Sequence, residues 1–138
     1  MCPRLKEGSK FTSSYTGLSY YIKHTFTCKS KYVIYLITCR QCGKQYTGKT
    51  TQHMHMRHTG HRNEIENASS ELGEHFSACG LENVTLQIID CVKEGEDEAL
   101  GVLEGYWQNK LATFQANGGN INVRNEWRNY LGQQPIIF

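Results

Sequence analysis

The segment Lys31-Tyr32-Val33-Ile34-Tyr35-Leu36-Ile37-Thr38 is β-branched, aromatic and almost uniformly apolar, and it is too short for an ordinary helix. A run of this kind predicts a central strand. A polar turn, Cys39-Arg40-Gln41-Cys42-Gly43-Lys44, separates it from Gln45-Tyr46-Thr47, so the two segments read as a hairpin. Thr50 or Thr51 can then cap a helix. Met54, Arg57, His61 and Ile65 follow at spacings of three and four, which lines them along one face. Gly60 weakens that helix without forbidding it. Ser70 can cap a second helix, Glu71 to Ala78, which Gly80 would stop. Val84, Leu86, Ile88 and Ile89 predict a third strand over Asn83 to Val92. The acids from Glu94 to Glu98 suit the positive start of a last helix, whose apolar face is Leu100, Leu103, Trp107 and Leu111.

Ahead of these elements, Lys10 to Cys28 is rich in Thr, Ser and Tyr with loose alternation, as expected for irregular extended chain laid against a core. From Asn117 the chain is Gly- and Asn-rich and reads as loop. The order strand, strand, helix, helix, strand, helix predicts an α+β domain with a small three-stranded antiparallel sheet flanked by helices. Residues 1–30 form an extension packed on a core of 31–127, and 128–138 form a tail.

Composition narrows the possibilities. The 138 residues suit one domain able to close a core without disulfides. No apolar run approaches the roughly 18 residues of a membrane span, and Met1-Cys2-Pro3-Arg4 does not open an apolar signal segment. The expectation is therefore a protein without membrane partners, its six cysteines held in a reducing compartment. The net charge of +2 conceals an asymmetry. Up to Arg62 there are eleven basic residues and one acid, together with five of the six histidines; beyond it there are four basic residues and twelve acids. Either the basic half faces a polyanion, or the two halves attract each other. Charge alone leaves both open.

Cys39-x-x-Cys42-Gly43 is the strongest local chemical signal. Two thiolates at this spacing can chelate one ion, with the Gly letting the backbone turn beneath them. His75 and Cys79, four residues apart, project from one face of the second helix. If the third strand runs antiparallel beside the first, the helix preceding it lies near the Cys39–Cys42 turn. Cys39, Cys42, His75 and Cys79 would then close a tetrahedral site for structural zinc. A redox pair is disfavoured, because it needs a helix start that the turn does not supply. Cys28 lies eleven residues up the chain from Cys39, at roughly 3.3 Å per residue, and is excluded from the site. Antiparallel pairing would bring it near Cys91 as a reduced neighbour.

A second constellation joins Tyr35 and Tyr46 on the paired strands, Arg57 on the following helix and Glu104 on the last one. Alone, each has an ordinary reading: the tyrosines pack, Glu104 is solvated, His61 caps or stacks. His53, His55 and His58 are expected to be exposed or to face phosphate. In combination the sequence resembles the GIY-YIG nuclease family. Val33-Ile34-Tyr35 stands for the first motif and Tyr46-Thr47-Gly48 for the second. Gly48-Lys49-Thr50, Arg57 with His61 four residues on, Glu104 with Trp107 and Leu111, and Gly119 to Asn122 continue the likeness over roughly 31–127. It is most similar to the endonuclease domain of Penelope-like retroelements, which carry two cysteines between the motifs, as Cys39 and Cys42 stand here. Their preceding segment also resembles Phe11-Thr12-Ser13 through Tyr21-Ile22 to Cys28-Lys29-Ser30. The chain departs from the pattern at Val33, Thr47 and Cys79, and an extra residue in the final motif aligns Asn122 rather than Asn120.

The resemblance implies a metal-dependent DNA endonuclease with a zinc-binding insertion. Tyr35, Tyr46, Arg57, His61, Glu104 and Asn122 would be catalytic. Lys44, Lys49 and Arg62 would bind substrate, and Glu104 would hold one Mg²⁺ or Mn²⁺. Phosphodiester hydrolysis needs an oriented water and neutralisation of developing phosphate charge. Arg57 can fork onto phosphate. Either tyrosine could take the proton from water if Arg57, His61 and Lys49 lower its pKa from about 10. The nick would prime reverse transcription in the nucleus, with element RNA and a reverse transcriptase of the same polyprotein as further partners. The alternative is a catalytically silent, zinc-stabilised nucleic-acid-binding module; a third reading is a purely structural interaction domain.

Overall fold

The structure, a computed structural model, describes residues 10–115 and 120–122. The expected loop glycine Gly119, Trp127 near the end of the expected core, the tail 128–138 and the first nine residues of the extension lie outside the described residues.

The chain forms β1 (Lys10–Thr12), β2 (Ser19–Tyr21), β3 (Val33–Cys39), β4 (Gln45–Thr50), α1 (Met54–Asn67), α2 (Glu71–Cys79), a 3₁₀ turn (Leu81–Asn83), β5 (Val84–Cys91) and α3 (Asp97–Leu111). The main sheet is antiparallel in the order β4-β3-β5. The fold is α+β, with small antiparallel sheets flanked by helices, as the apolar pattern predicts. β3 is central and nearly all buried, which explains why its sequence alternates so little. Val33, Tyr35, Ile37 and Cys39 pack on one face with Met54, Ile65, Leu72 and Phe76 of α1 and α2. Ile34 and Leu36 pack on the other with Leu100 and Leu111 of α3 and with Phe11. Period-two alternation along β3 thus feeds two cores.

Four details differ from expectation. The segment after Lys10 is irregular only in part: within it β1 and β2 pair as a second antiparallel sheet. Its Phe11 lies 5.0 Å from the Trp107 ring, and Ser13 donates to the Leu111 carbonyl at 2.6 Å. Neither Thr50 nor Thr51 caps α1. Thr50 ends β4, and α1 starts after His53 with no side-chain cap. The carbonyls of Ser30 and Cys28 accept from the Met54 and His55 amides instead, satisfying donors a cap would have met. α3 starts at Asp97, later than the acid run suggests, because Gly95 takes φ +92° and turns the chain first. His53, His55 and His58 are half-buried rather than exposed; the backbone that caps α1 also covers His55, whose Nδ1 is 3.3 Å from the Cys28 carbonyl.

Ser70 caps α2 as expected, accepting from the Gly73 amide at 3.0 Å, and Gly80 ends the helix at φ +97°. Beyond α3, residues 120–122 run along the outer edge of β4. The Ile121 amide donates to the Gln45 carbonyl at 3.0 Å.

Candidate active site and metal centre

The end of β3 turns tightly into β4. Gly43 takes φ +79° and donates to the Cys39 carbonyl, while the Cys39 amide donates to Lys44. This turn holds Cys39 and Cys42 together. In the β3–β5 register Cys39 faces Val84, so the chain leading into β5, and α2 before it, must lie beside the turn. One ligand atom from each of Cys39, Cys42, His75 and Cys79 falls within 4.8 Å of all the others. His75 Nε2 is 3.4 Å from Cys42 Sγ and 3.6 Å from Cys79 Sγ. Zinc bonds of roughly 2.3 Å to sulfur and 2.05 Å to nitrogen, at tetrahedral angles, separate S from N by about 3.6 Å. Burial and nearby Lys44 push His75 down, favouring the neutral imidazole that ligates metal. Three thiols and an imidazole in this geometry can hold a structural metal ion such as zinc.

Cys28 stays out of the cluster, but not as a reduced neighbour of Cys91: it is disulfide-bonded, whereas Cys91 is free. Cys91 lies with His24 and Asp90 in a second group of potential ligands. Asp90 is already occupied there, accepting from Trp107 Nε1 at 2.9 Å and from the Cys91 amide at 2.8 Å. Burial and Asp90 push the Cys91 thiol up.

On the same face of β3, Tyr35 is fully buried, and Gly48 stands opposite it in the β4 register. Tyr35, Tyr46 and His61 form an aromatic triangle, with ring centroids 6.3, 5.8 and 5.5 Å apart. The Tyr35 hydroxyl is 2.5 Å from His61 Nε2 and accepts from Arg57 Nε at 3.2 Å. His61 Nδ1 lies 3.2 Å from Glu64 Oε2, which also accepts from Ser70 Oγ at 2.9 Å.

These partners determine where the protons sit. Hydrogen bonding from His61, then its charge, Ser70 and Arg57, pull Glu64 down to about 2, so its carboxylate accepts only. Nδ1 of His61 must then carry hydrogen. Arg57 only donates, so the Tyr35 hydrogen points to His61 Nε2. Burial, with Arg57 adding to it, pushes His61 below its ordinary 6.5 despite the hydrogen bond to Glu64, and the ring is neutral at pH 7. Tyr35 departs from expectation. Burial, with Tyr46 next, holds it well above 10 although Arg57 opposes the shift. Neighbouring cations do not ionise it, and Lys49 is turned elsewhere, 3.9 Å from Glu104 Oε1.

Glu104 is buried on α3 beside β4. Asn122, also buried, is committed to β4: it accepts from the Thr47 amide at 2.8 Å and from Thr113 Oγ1 at 2.7 Å, and donates to the Thr47 carbonyl at 3.1 Å. Asn120 accepts from the Gln45 amide at 2.9 Å and donates to the Ala112 carbonyl at 2.9 Å. Both asparagines hold the strand that carries Tyr46. Lys44 belongs to the cysteine turn, and Arg62 is exposed on α1 near His58. Glu64 and Ser70 were missed from the sequence. An acid three residues after His61 was the available signal for the first.

A family model described as a protein of unknown function (DUF725) matches residues 18–118 of the 138. This chain belongs to the DUF725 family. The stretch shared with DUF725 contains the four metal-cluster residues together with Tyr35, Tyr46, Arg57, His61, Glu64 and Glu104, and it ends before Asn122. No curated protein matches the chain, and no solved structure does. Membership in DUF725 attaches no reaction to these residues.

Proposed function

We propose that the chain is a metal-dependent DNA endonuclease of the GIY-YIG type, most similar to that of Penelope-like retroelements. The observation that carries this reading is the hydrogen-bonded unit of Tyr35, His61 and Arg57, with Tyr46 beside it. Its members come from three separate elements, β3, β4 and α1.

In this reading Tyr35 works as a relay. Its oxygen takes a proton from the attacking water while its own hydrogen passes to neutral His61 Nε2. The hydroxide forms a bond to phosphorus, the bond to the departing oxygen breaks, and that oxygen takes up a proton from solvent, to which the His61 imidazolium later releases its own. The imidazolium formed at His61 is stabilised by Glu64. Arg57, which already binds the Tyr35 oxygen, can extend its guanidinium to phosphate. Glu104 offers the hard carboxylate oxygen that suits Mg²⁺ or Mn²⁺, which a protein commonly holds through one or two carboxylates. When bound, such an ion would supply positive charge to the phosphate and the leaving oxygen. Lys49 would exchange Glu104 for phosphate, with Lys44 and Arg62 contacting DNA further out. One site of this kind cuts one strand, and by resemblance the nick would prime reverse transcription in the nucleus. Element RNA and a reverse transcriptase of the same polyprotein are the further partners proposed.

A second reading is a zinc-stabilised nucleic-acid-binding module that does not cleave. The complete burial of Tyr35 favours it, since a group that accepts a proton from water must reach water. Supercoiled plasmid with Mg²⁺ or Mn²⁺ separates the two. Open-circle product that disappears in Glu104→Ala and Tyr35→Phe is expected. Salt-sensitive binding without nicking leaves the second reading, and absence of both sinks the two together.

A further inference from the structure

Glu64 is the point at which α1, α2 and the tyrosine site meet. Its Oε2 takes hydrogen bonds from His61 and Ser70, and Arg57 Nη1 lies 3.7 Å from Oε1. Ser70 is the N-cap of α2, so one hydroxyl both accepts from the Gly73 amide and donates to Glu64. Gly73 sits directly on the Glu64 backbone, where a Cβ would come within 2.2 Å of the Glu64 carbonyl oxygen. The first turn of α2 is therefore keyed onto Glu64. The last turn of the same helix carries His75 and Cys79.

From this arrangement we infer that Glu64 and Ser70 are positioning residues for His61, and that metal in the Cys39–Cys42–His75–Cys79 cluster governs them through α2. At nine residues α2 is too short to be stable by itself. Leu72 and Phe76 anchor its middle in the core, and the metal ties its end to the β3–β4 turn. Without the ion the end is released and the helix frays. Ser70 and Gly73 then lose their fixed relation to Glu64. Glu64 is what keeps the His61 hydrogen on Nδ1 and the Nε2 lone pair facing Tyr35. The cluster thereby sets the state of His61 as well as stabilising the fold. A carboxylate or carbonyl that orients a functional histidine acts in this way at many sites.

The activity arm of this inference rests on the nuclease reading; its structural arm does not. The test is ¹⁵N NMR of the His61 imidazole in the full chain at neutral pH, zinc-loaded and then stripped with chelator. One Nδ1–H tautomer is expected when loaded, and exchange between both tautomers when stripped. Ser70→Asp is the decisive variant: its carboxylate still caps Gly73 but has no hydrogen to donate to Glu64. With zinc bound and helix content unchanged, it should show mixed tautomers, as should Glu64→Gln. A single tautomer persisting in Ser70→Asp, or in a stripped chain that stays folded, overturns the inference. If stripping unfolds the chain, the metal acts on the whole fold and the α2 link is overturned, while Ser70→Asp still decides the roles of Glu64 and Ser70. In the plasmid assay Glu64→Gln should slow the maximal nicking rate about 10- to 100-fold with little change in half-saturating DNA. A wild-type chain that never nicks sinks the nuclease reading while the NMR result still stands.

Discussion

Gly48 faces Tyr35 across the β3–β4 register so closely that a Cβ at Gly48 would lie 2.5 Å from the Tyr35 hydroxyl and 2.8 Å from Tyr46 Cε1. The backbone of Gly48 is unremarkable; what the position requires is the missing side chain. Gly48→Ala should drive Tyr35 from its hydrogen bonds with His61 and Arg57. We expect a loss of about 1–3 kcal/mol in urea unfolding, typical of overpacking, and loss of any nicking. An alanine variant with wild-type stability and activity would contradict this role.

The metal centre predicts about one zinc per chain by elemental analysis. Cys42→Ser and His75→Asn should each lose it, and chelator should lower the Tm of the wild-type chain. Because Cys91 and His24 lie apart from the cluster, Cys91→Ser should keep its zinc. Zinc that survives Cys42→Ser would place the ion elsewhere.

The acid–base arrangement predicts a one-sided pH profile. Neutral His61 is the form able to accept the Tyr35 proton, and burial places its pKa below 6.5. Nicking should therefore fall only as pH drops below that range. Tyr35, held well above 10, adds no limb at neutral pH. Glu64→Gln removes a carboxylate that favours the imidazolium, so the acid limb should move to lower pH. A limb that moves upward would refute the assignment.

Stability should also decline on acidification, in two windows. The unfolded chain protonates His61 near 6.5 and the folded chain only at lower pH, so acid favours unfolding between those values. Glu64 binds its proton near 4.5 when unfolded and at about 2 when folded. Its stabilisation is present above 4.5 and is lost as pH falls through about 2. Urea titrations of wild type and Glu64→Gln should differ at pH 6 and converge toward pH 2.

Asn122 should behave as a structural clamp. Asn122→Ala strands the buried Thr47 amide, at about 1–3 kcal/mol, whereas the Thr47 carbonyl keeps the Gln108 Nε2 donor at 3.3 Å. Zinc content should be unchanged. Asn122→Asp keeps the acceptor for the Thr47 amide but loses the donor to its carbonyl, and should fall between the two. A silent alanine variant would show that the clamp is redundant with Asn120.

Much of the fold was legible because its signals are local. The apolar run of β3, the period of α1, the Ser70 cap and the Gly43 and Gly80 turns are each contained within a few residues. The four residues of the Cys/His cluster followed from two short spacings and one topological step. The α1 start was misread because carbonyls of Cys28 and Ser30, distant in sequence, satisfy the donors that a local threonine was expected to meet. The β1–β2 hairpin was missed because three-residue strands carry too little alternation to announce themselves.

By itself, then, the sequence determined the order of elements from β3 to α3, the Cys/His set and the candidate residues Tyr35, Tyr46, Arg57, His61 and Glu104. Tertiary structure alone decided their states. Tyr35 is a neutral phenol because the desolvation of a wholly buried hydroxyl outweighs the pull of Arg57. Which His61 nitrogen carries hydrogen depends on Glu64, and the place of Glu64 depends on the packing of α2 against α1. Residue type and spacing cannot report burial or proton position, because both arise only when separate elements exclude water from one point.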